Sequence, residues 1–412
     1  MSAVSYCFLE PLDVLFLRGN KLFGDPGSFG ESLIPPWPSV AAGALRSAML
    51  AQDGVDLAGF AGGRVAHPTL GTVSKPGPFA VTEFQLGRRY GNGGVEALYA
   101  PPADLVICEK TGGGRSVKTL VPARLPSGQG RISSSAPLSL LPVMAETERT
   151  KPAGGYWLTE QGWRKYLKGL PLDVGADLVS SRELWAIDPR VGVGLDAASG
   201  RAADGRLFTV QAVAFVKREH LSRNGFDVGF LVGVTGTEPL QSGLARLGGD
   251  GRAAAMHPVS LKTFEPDFGA MLKAKRCRLV LTTPGIFGTL DARDGAGAMR
   301  SGWLPTGITQ TSQGEFLFDL HGVKGKLVCA AVPRFEVVSG WDLALWQPKP
   351  AQRVAPTGSV YWLQELEATP DALRRLIEQG LWPATTPELP EAAADWQARR
   401  AEGFNRCTLG VG

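Results

Sequence analysis

Four histidines, two close carboxylate pairs, five cysteines and one glycine-rich basic stretch are the places where this chain could do chemistry. A metal-free ribonuclease needs a general base, a general acid and a cation beside the phosphate. His67, His220, His257 and His321 have no diagnostic neighbours, and none forms an i, i+4 pair suited to a metal. His67 and His257 each precede proline, so turns are expected there. They are the two candidates for a general base if the chain cleaves RNA. Glu265 with Asp267, and Asp291 with Asp294, lie in loops rich in proline or glycine, where solvated acids are ordinary. Cys7, Cys108, Cys277, Cys329 and Cys407 have no paired spacing, which argues against a zinc ribbon and against a disulfide framework. No catalytic residue, metal site or cofactor is expected.

The stretch GGGRSVKT (residues 112–119) invites a phosphate-loop reading, but Val117 stands where the motif needs glycine before Lys118, so a nucleoside triphosphatase is rejected. RVGVGLD (190–196) imitates a dinucleotide fingerprint. That motif must open a helix, whereas here a turn at 196–200 precedes the strand-like LFTVQAVAFV (207–216), so a hairpin is expected.

Cations are better placed than acid-base pairs. From Lys110 to Arg131 the chain carries Lys110, Arg115, Lys118, Arg124 and Arg131 with no acidic residue and five glycines. Such a loop either is solvated or lies on nucleic-acid phosphates.

The elements that would position these residues start with an apolar strand over 6–17, followed by the loop RGNK (18–21) and a helix. Ser39 is the expected N-cap of that helix. Val40, Ala44, Leu45 and Ala48 form its core stripe, which leaves Arg46 on another side, flanked by Ala42 and Gly43. Further strands are expected near 78–86, 103–108, 226–234, 253–261, 278–283, 326–332 and 334–338. Helices are expected near 157–170, 239–247 and 371–378.

Over 412 residues, 44% hydrophobic and 20% charged content describe a globular chain too long for one core. The 43 basic and 39 acidic residues give a net charge of +4, so only local clustering is informative. Fifty-three glycines and 30 prolines promise long loops. No signal peptide or membrane-length apolar span is read, and a reducing cytoplasm is expected.

The segments LRGNKLFGD and PPWPSVAAGALR resemble the opening of the RAMP superfamily of CRISPR proteins. More closely they are similar to the third subunit of the Cmr, or type III-B, effector complex. The likeness continues through RVGVGLDAASGRAADGRLFTVQAV, LGGDGR, LTTPGIFGTL with GWLP, VSGWDL, PKPAQRVAPTGSVYWLQ and the terminal EGFNRCTLGVG.

This resemblance implies an α+β chain of two tandem ferredoxin-like (RRM-like) domains with long loops and insertions, divided here as 1–205 and 206–412. It implies a noncatalytic, RNA-binding subunit that holds the 5′ handle of the guide RNA, docks on the large polymerase-like subunit and abuts a backbone subunit, with target RNA met only indirectly. The alternative within the superfamily is a guide-processing endoribonuclease. On the RNA-binding reading Arg18, Asn20, Lys21, Ser39, Arg46, Arg115, Lys118, Arg252, Asn405 and Arg406 line one positive groove, and Arg190 is a phosphate contact. Phe23, Phe29, Trp37 and Trp303 are the candidates for base stacking.

Overall fold

The structure, a computed structural model, describes residues 4–19, 29–109, 114–124, 134, 136–145, 151–196, 198–217, 225–262, 264–290, 299–342, 344–383 and 390–412. It is a mixed α/β arrangement of antiparallel sheets with few helices, dominated by two six-stranded sheets.

The first sheet contains β1 (Ser5–Pro11), β2 (Ala80–Tyr90), β3 (Val95–Leu98), β4 (Phe226–Thr235), β5 (Gly243–Arg246) and β6 (Ala253–Val259). Their spatial order is β5-β6-β1-β4-β2-β3, with every neighbouring pair antiparallel. Both faces of β4 are buried, and on one of them Val228, Phe230, Val232 and Val234 share a core with Cys7 and Leu9 of β1. Helix α1 (Pro38–Gln52) covers that face with Ala41, Ala44, Leu45 and Ala48. Leu45 is fully buried, so its truncation to alanine would cost about 2–5 kcal/mol.

The second sheet contains β7 (Arg276–Leu281), β8 (Ile308–Gln310), β9 (Phe316–Leu320), β10 (Val323–Ala331), β11 (Val360–Glu367) and β12 (Cys407–Val411), in the order β8-β9-β10-β11-β7-β12. Leu279, Leu363 and Leu409 meet Leu373 and Leu376 of a helix over Pro370–Gln379 in a second core. That helix starts as its sequence demands: Thr369 caps the backbone N–H of Ala372, Pro370 occupies the first turn, and Gly380 ends it with φ 69°. Between β3 and β4 the chain makes an insertion with a short helix (Glu160–Leu167) and a long hairpin, Trp185–Leu195 against Ala202–Phe215. Asp104 and Arg278 clamp this insertion to β7 through a buried 2.9 Å ion pair.

Two expectations of local structure change. The helix expected near 239–247 is β5, because Ala245 and Leu247 are buried while Leu244 and Arg246 are exposed, a period of two that pairs with β6. Ser39 does not cap α1; Trp37 holds the cap position without a side-chain hydrogen bond, since Pro38 already occupies the first turn. The division expected between 205 and 206 falls within the strand Ala202–Phe215 and would separate β1 from β4 and β6, its two hydrogen-bonded neighbours.

Candidate nucleic-acid interface

Four segments far apart in sequence converge at one end of the first sheet. Leu15 and Val213 exchange backbone hydrogen bonds of 2.9 and 2.8 Å, which anchors the root of the long hairpin beside the exit of β1. Arg18 pairs across a β-bridge with Ser32, whose hydroxyl donates to the Gln211 carbonyl at 2.6 Å. Phe29 and Gly30 add a short parallel strand to Thr209 and Val210. On the other side Gly249 donates its N–H to the Phe16 carbonyl at 2.8 Å, so the loop LGGDGR lies flat against Phe16–Arg18. Glycine is required there: Gly248 has φ 76°, and a Cβ on it would stand 2.9 Å from the Phe16 oxygen.

This convergence brings together Arg18, Arg252 and the Arg190 hairpin. Arg18 reaches Asp250 at 3.2 Å, Arg252 reaches Asp13 at 2.6 Å and lies over the Phe16 ring, and Arg190 reaches Asp188 at 2.9 Å. Arg206 and Arg246 are exposed on two of the same segments. Exposed ion pairs of this kind are worth about 0–1 kcal/mol each, so a phosphate can replace an aspartate partner at little cost. The site is therefore a set of guanidiniums held beside exposed aspartates.

Other expected contacts are placed elsewhere. Asn20, Lys21 and Phe23 lie outside the described residues, as does the side chain of Phe29. Arg115 and Lys118 sit on a strand, Arg115–Thr119, paired with Leu105–Glu109, in an insertion sheet whose Ile107 packs with Val280 and Val328 of the second sheet. A strand there also removes the phosphate-loop reading, which needs Lys118 at a helix start. Arg115 lies over the Tyr156 ring and faces Glu109 at 3.7 Å.

Arg46 is half-buried over the Phe79 ring at 5.5 Å, and burial pushes its pKa down against the opposing pull of Glu402. Its guanidinium thus rests on a ring of the first sheet's core while part of the side chain stays accessible. Asn405 and Arg406 are buried structural pins. Asn405 bonds to the backbone of Ile286 and Leu381, and Arg406 donates to the carbonyls of Glu378 and Val81. Both side chains point into the protein interior, where these bonds hold them. Trp37 is core, packed with Trp382 and Phe404, whereas Trp303 is half-buried and lines a cavity of about 480 Å³.

A family model described as "CRISPR-associated protein (Cas_Cmr3)" matches residues 7–412. The chain belongs to the Cas_Cmr3 family. The expected resemblance to the third Cmr subunit is borne out by that match. Two solved chains, from cryo-EM structures of the Type III-B Cmr-beta bound to cognate target RNA, one of them also with AMPPnP, each align with 98% of this chain. They are 11% and 12% identical to it, are covered over 96% and 99% of their own length, and give TM-scores of 0.44 and 0.45. No curated protein matches.

In this Cas_Cmr3 chain His67 has structural partners. His67 is buried, accepts the N–H groups of Thr69 and Leu70 at Nδ1, and meets Asp53 at 2.8 Å through Nε2. His321 has a left-handed φ of 56°, and burial lowers its pKa. His220 lies outside the described residues. Glu265 pairs with Arg374 and Asp267 caps the helix over Phe268–Ala274, so both acids have structural work; Asp291 and Asp294 are outside the described residues. All five cysteines are buried and free, and burial pushes the thiols of Cys7, Cys277, Cys329 and Cys407 up to about 12. Among the described residues no group of three or more His, Cys, Asp or Glu could hold a metal.

His257, one of the two candidate bases, has partners that the residue types did not reveal. It faces Glu10 at 3.0 Å, and Glu10 also meets Lys217 at 3.2 Å and Arg89 at 3.6 Å. Glu10 interrupts an apolar strand, the one signal available in the sequence, but its three partners come from strands and loops up to 247 residues away. On the same face of the first sheet, the Phe8 ring lies across Gly87 and Gly229, where Cβ atoms would stand 3.2 and 2.9 Å from it. Phe8 is fully buried, so the sheet face is not an open stacking platform of the RRM kind.

Proposed function

We propose that this chain is a noncatalytic RNA-binding subunit of a type III-B CRISPR ribonucleoprotein, acting in the cytoplasm in antiviral defence. It holds the 5′ handle of the guide RNA, docks on the large polymerase-like subunit and adjoins the backbone subunits. The observation that carries this reading is the convergence of Arg18 and Arg252 on either side of the Phe16–Gly249 crossing, beside the Arg190 hairpin. Asn20 and Lys21 extend the same segment, and Arg115 with Lys118 forms a second basic patch on the insertion.

We read the two six-stranded sheets as a pair of ferredoxin-like units. The core order β6-β1-β4-β2 in one sheet and β12-β7-β11-β10 in the other is the 4-1-3-2 order of that fold. Each unit keeps one of the two usual helices, α1 in the first and the Pro370–Gln379 helix in the second. We place the division after Val259, where β6 ends. Guide RNA crosslinked by ultraviolet light in the assembled complex should map to peptides containing residues 14–21, 185–215 and 248–252. Crosslinks confined to other surfaces would reject this interface.

A second reading, guide-processing endoribonuclease, is favoured only by His257 with Glu10, Lys217 and Arg89, a base, its orienting carboxylate and two cations. Cleavage of repeat RNA by the purified chain, abolished by His257→Ala, would select it.

A further inference from the structure

The segment VSGWDL belongs to a second, smaller hairpin that the RNA interface leaves unused. Glu336–Val338 pairs with Gln352–Val354, and the hairpin continues through Trp341–Asp342 against Gln347–Pro348. Its tip exposes three large apolar side chains within six residues: Trp341 at 51%, Leu345 at 65% and Trp346 at 74%. The two indoles meet edge to face with centroids 6.1 Å apart.

The tip is held in shape before anything binds it. The Asp342 carboxylate accepts the backbone N–H groups of Ala344 and Leu345 at 2.9 and 3.0 Å. Trp346 has a left-handed φ of 53°, an unfavourable conformation for a bulky residue that holds its indole outward. Beneath the tip, Arg399 is almost fully buried and donates to the Ser339 carbonyl at 3.0 Å, while Lys349 and Arg399 both engage Glu402. Gln352 bonds to Asp395 at 3.0 Å. A rigid exposed pair of tryptophans loses little entropy on binding, which is how interface anchors gain affinity.

Charge selects the occupant. Between residues 335 and 354 the acids are Glu336 and Asp342 and the bases are Lys349 and Arg353, so the formal charge is zero. Lys349 is taken by Glu402, and Arg353 lies over the Phe335 ring at 4.8 Å. Single-stranded RNA is bound where aromatics lie in a positive groove, and the cation cluster of this chain is on other segments. We propose that Trp341, Leu345 and Trp346 form a docking knob that inserts into an apolar groove on a neighbouring protein subunit, with an acceptor there for an indole N–H. This rests on the reading of the chain as a subunit of a Cmr assembly.

The test uses the remaining Cmr protein subunits and guide RNA, reconstituted without this chain, as the binding probe for wild type, Trp346→Gly and Leu345→Asp. Glycine accepts the left-handed φ and Leu345 is solvent-exposed, so both variants should melt at or above the wild-type temperature. The expected result is an affinity for the probe at least about tenfold weaker in each variant, with affinity for naked guide RNA unchanged. Wild-type affinity in both variants would overturn the knob while leaving the subunit reading intact; failure of wild type to bind the probe would overturn both. Trp346→Gly losing affinity for naked RNA, or abolishing self-association, with probe affinity unchanged, would assign the tip to base stacking or to a second copy and would likewise overturn the proposal.

Discussion

Arg406, one residue before β12, donates its Nη2 to the carbonyl oxygen of Val81 in β2 at 2.9 Å, across 325 residues of sequence. Its Nη1 donates to the Glu378 carbonyl at 2.8 Å. The guanidinium thus ties the last strand of one sheet to a central strand of the other, and burial, reinforced by Arg400, pulls its pKa down to about 10. Arg406→Met keeps the apolar stem but strands two buried carbonyls. Denaturant unfolding should show a loss of about 2–5 kcal/mol, and guide-RNA affinity of the folded fraction should not change.

Glu83 provides a pH signature. Its carboxyl group sits beside Tyr6 in a cavity of about 1500 Å³ between the sheets, and burial raises its pKa, opposed by the Tyr6 hydrogen bond and reinforced by Glu160. A carboxyl group whose folded pKa is raised contributes its stability fully below the unfolded pKa and loses it as pH rises through the folded value. Glu83→Gln removes that loss. Thermal melts should show the variant more stable than wild type at pH 8, with the difference shrinking towards pH 4. A constant difference across that range would mean that Glu83 does not titrate as described.

His257 and His67 separate structure from catalysis. His257→Ala in the reconstituted complex should leave target cleavage within about twofold, since Glu10 keeps Lys217 and Arg89 as partners. His67→Ala breaks three hydrogen bonds in a buried turn and should lower stability by about 1–3 kcal/mol, again without loss of cleavage per folded molecule. Loss of cleavage on replacing His257, at unchanged stability and assembly, would support the nuclease reading.

Elements whose local signals agree were readable from sequence. Thr369, Pro370 and Gly380 bracket one helix, and the glycine-punctuated alternation of residues 190–216 gives one hairpin. β5 was not readable, because four residues carry too short a period and its strand character depends on pairing with β6. The site divides in the same way. Arg18, Arg190 and Arg252 stand in recognisable glycine-rich segments, but their meeting depends on the Gly249–Phe16 hydrogen bond, which no local pattern encodes. Asn405 and Arg406 look like a phosphate-binding loop because glycine flanks them; only tertiary contacts from Val81, Ile286, Glu378 and Leu381 reveal them as buried pins. Arg46 lies half-buried over the Phe79 ring, a contact that its place on the helix does not encode.

Guide-RNA affinity of the Arg18→Ala, Arg252→Ala double variant, measured in the assembled complex at several salt concentrations, tests the interface most directly. Each guanidinium that grips a phosphate should contribute about 1–3 kcal/mol and about one unit of salt slope. The expected result is weaker binding with a slope shallower by about two units, little dependence on base identity, and stability changed by no more than about 1 kcal/mol per residue, because the aspartates they pair with are exposed. Wild-type affinity and slope in the double variant would contradict the placement of the guide RNA at this crossing.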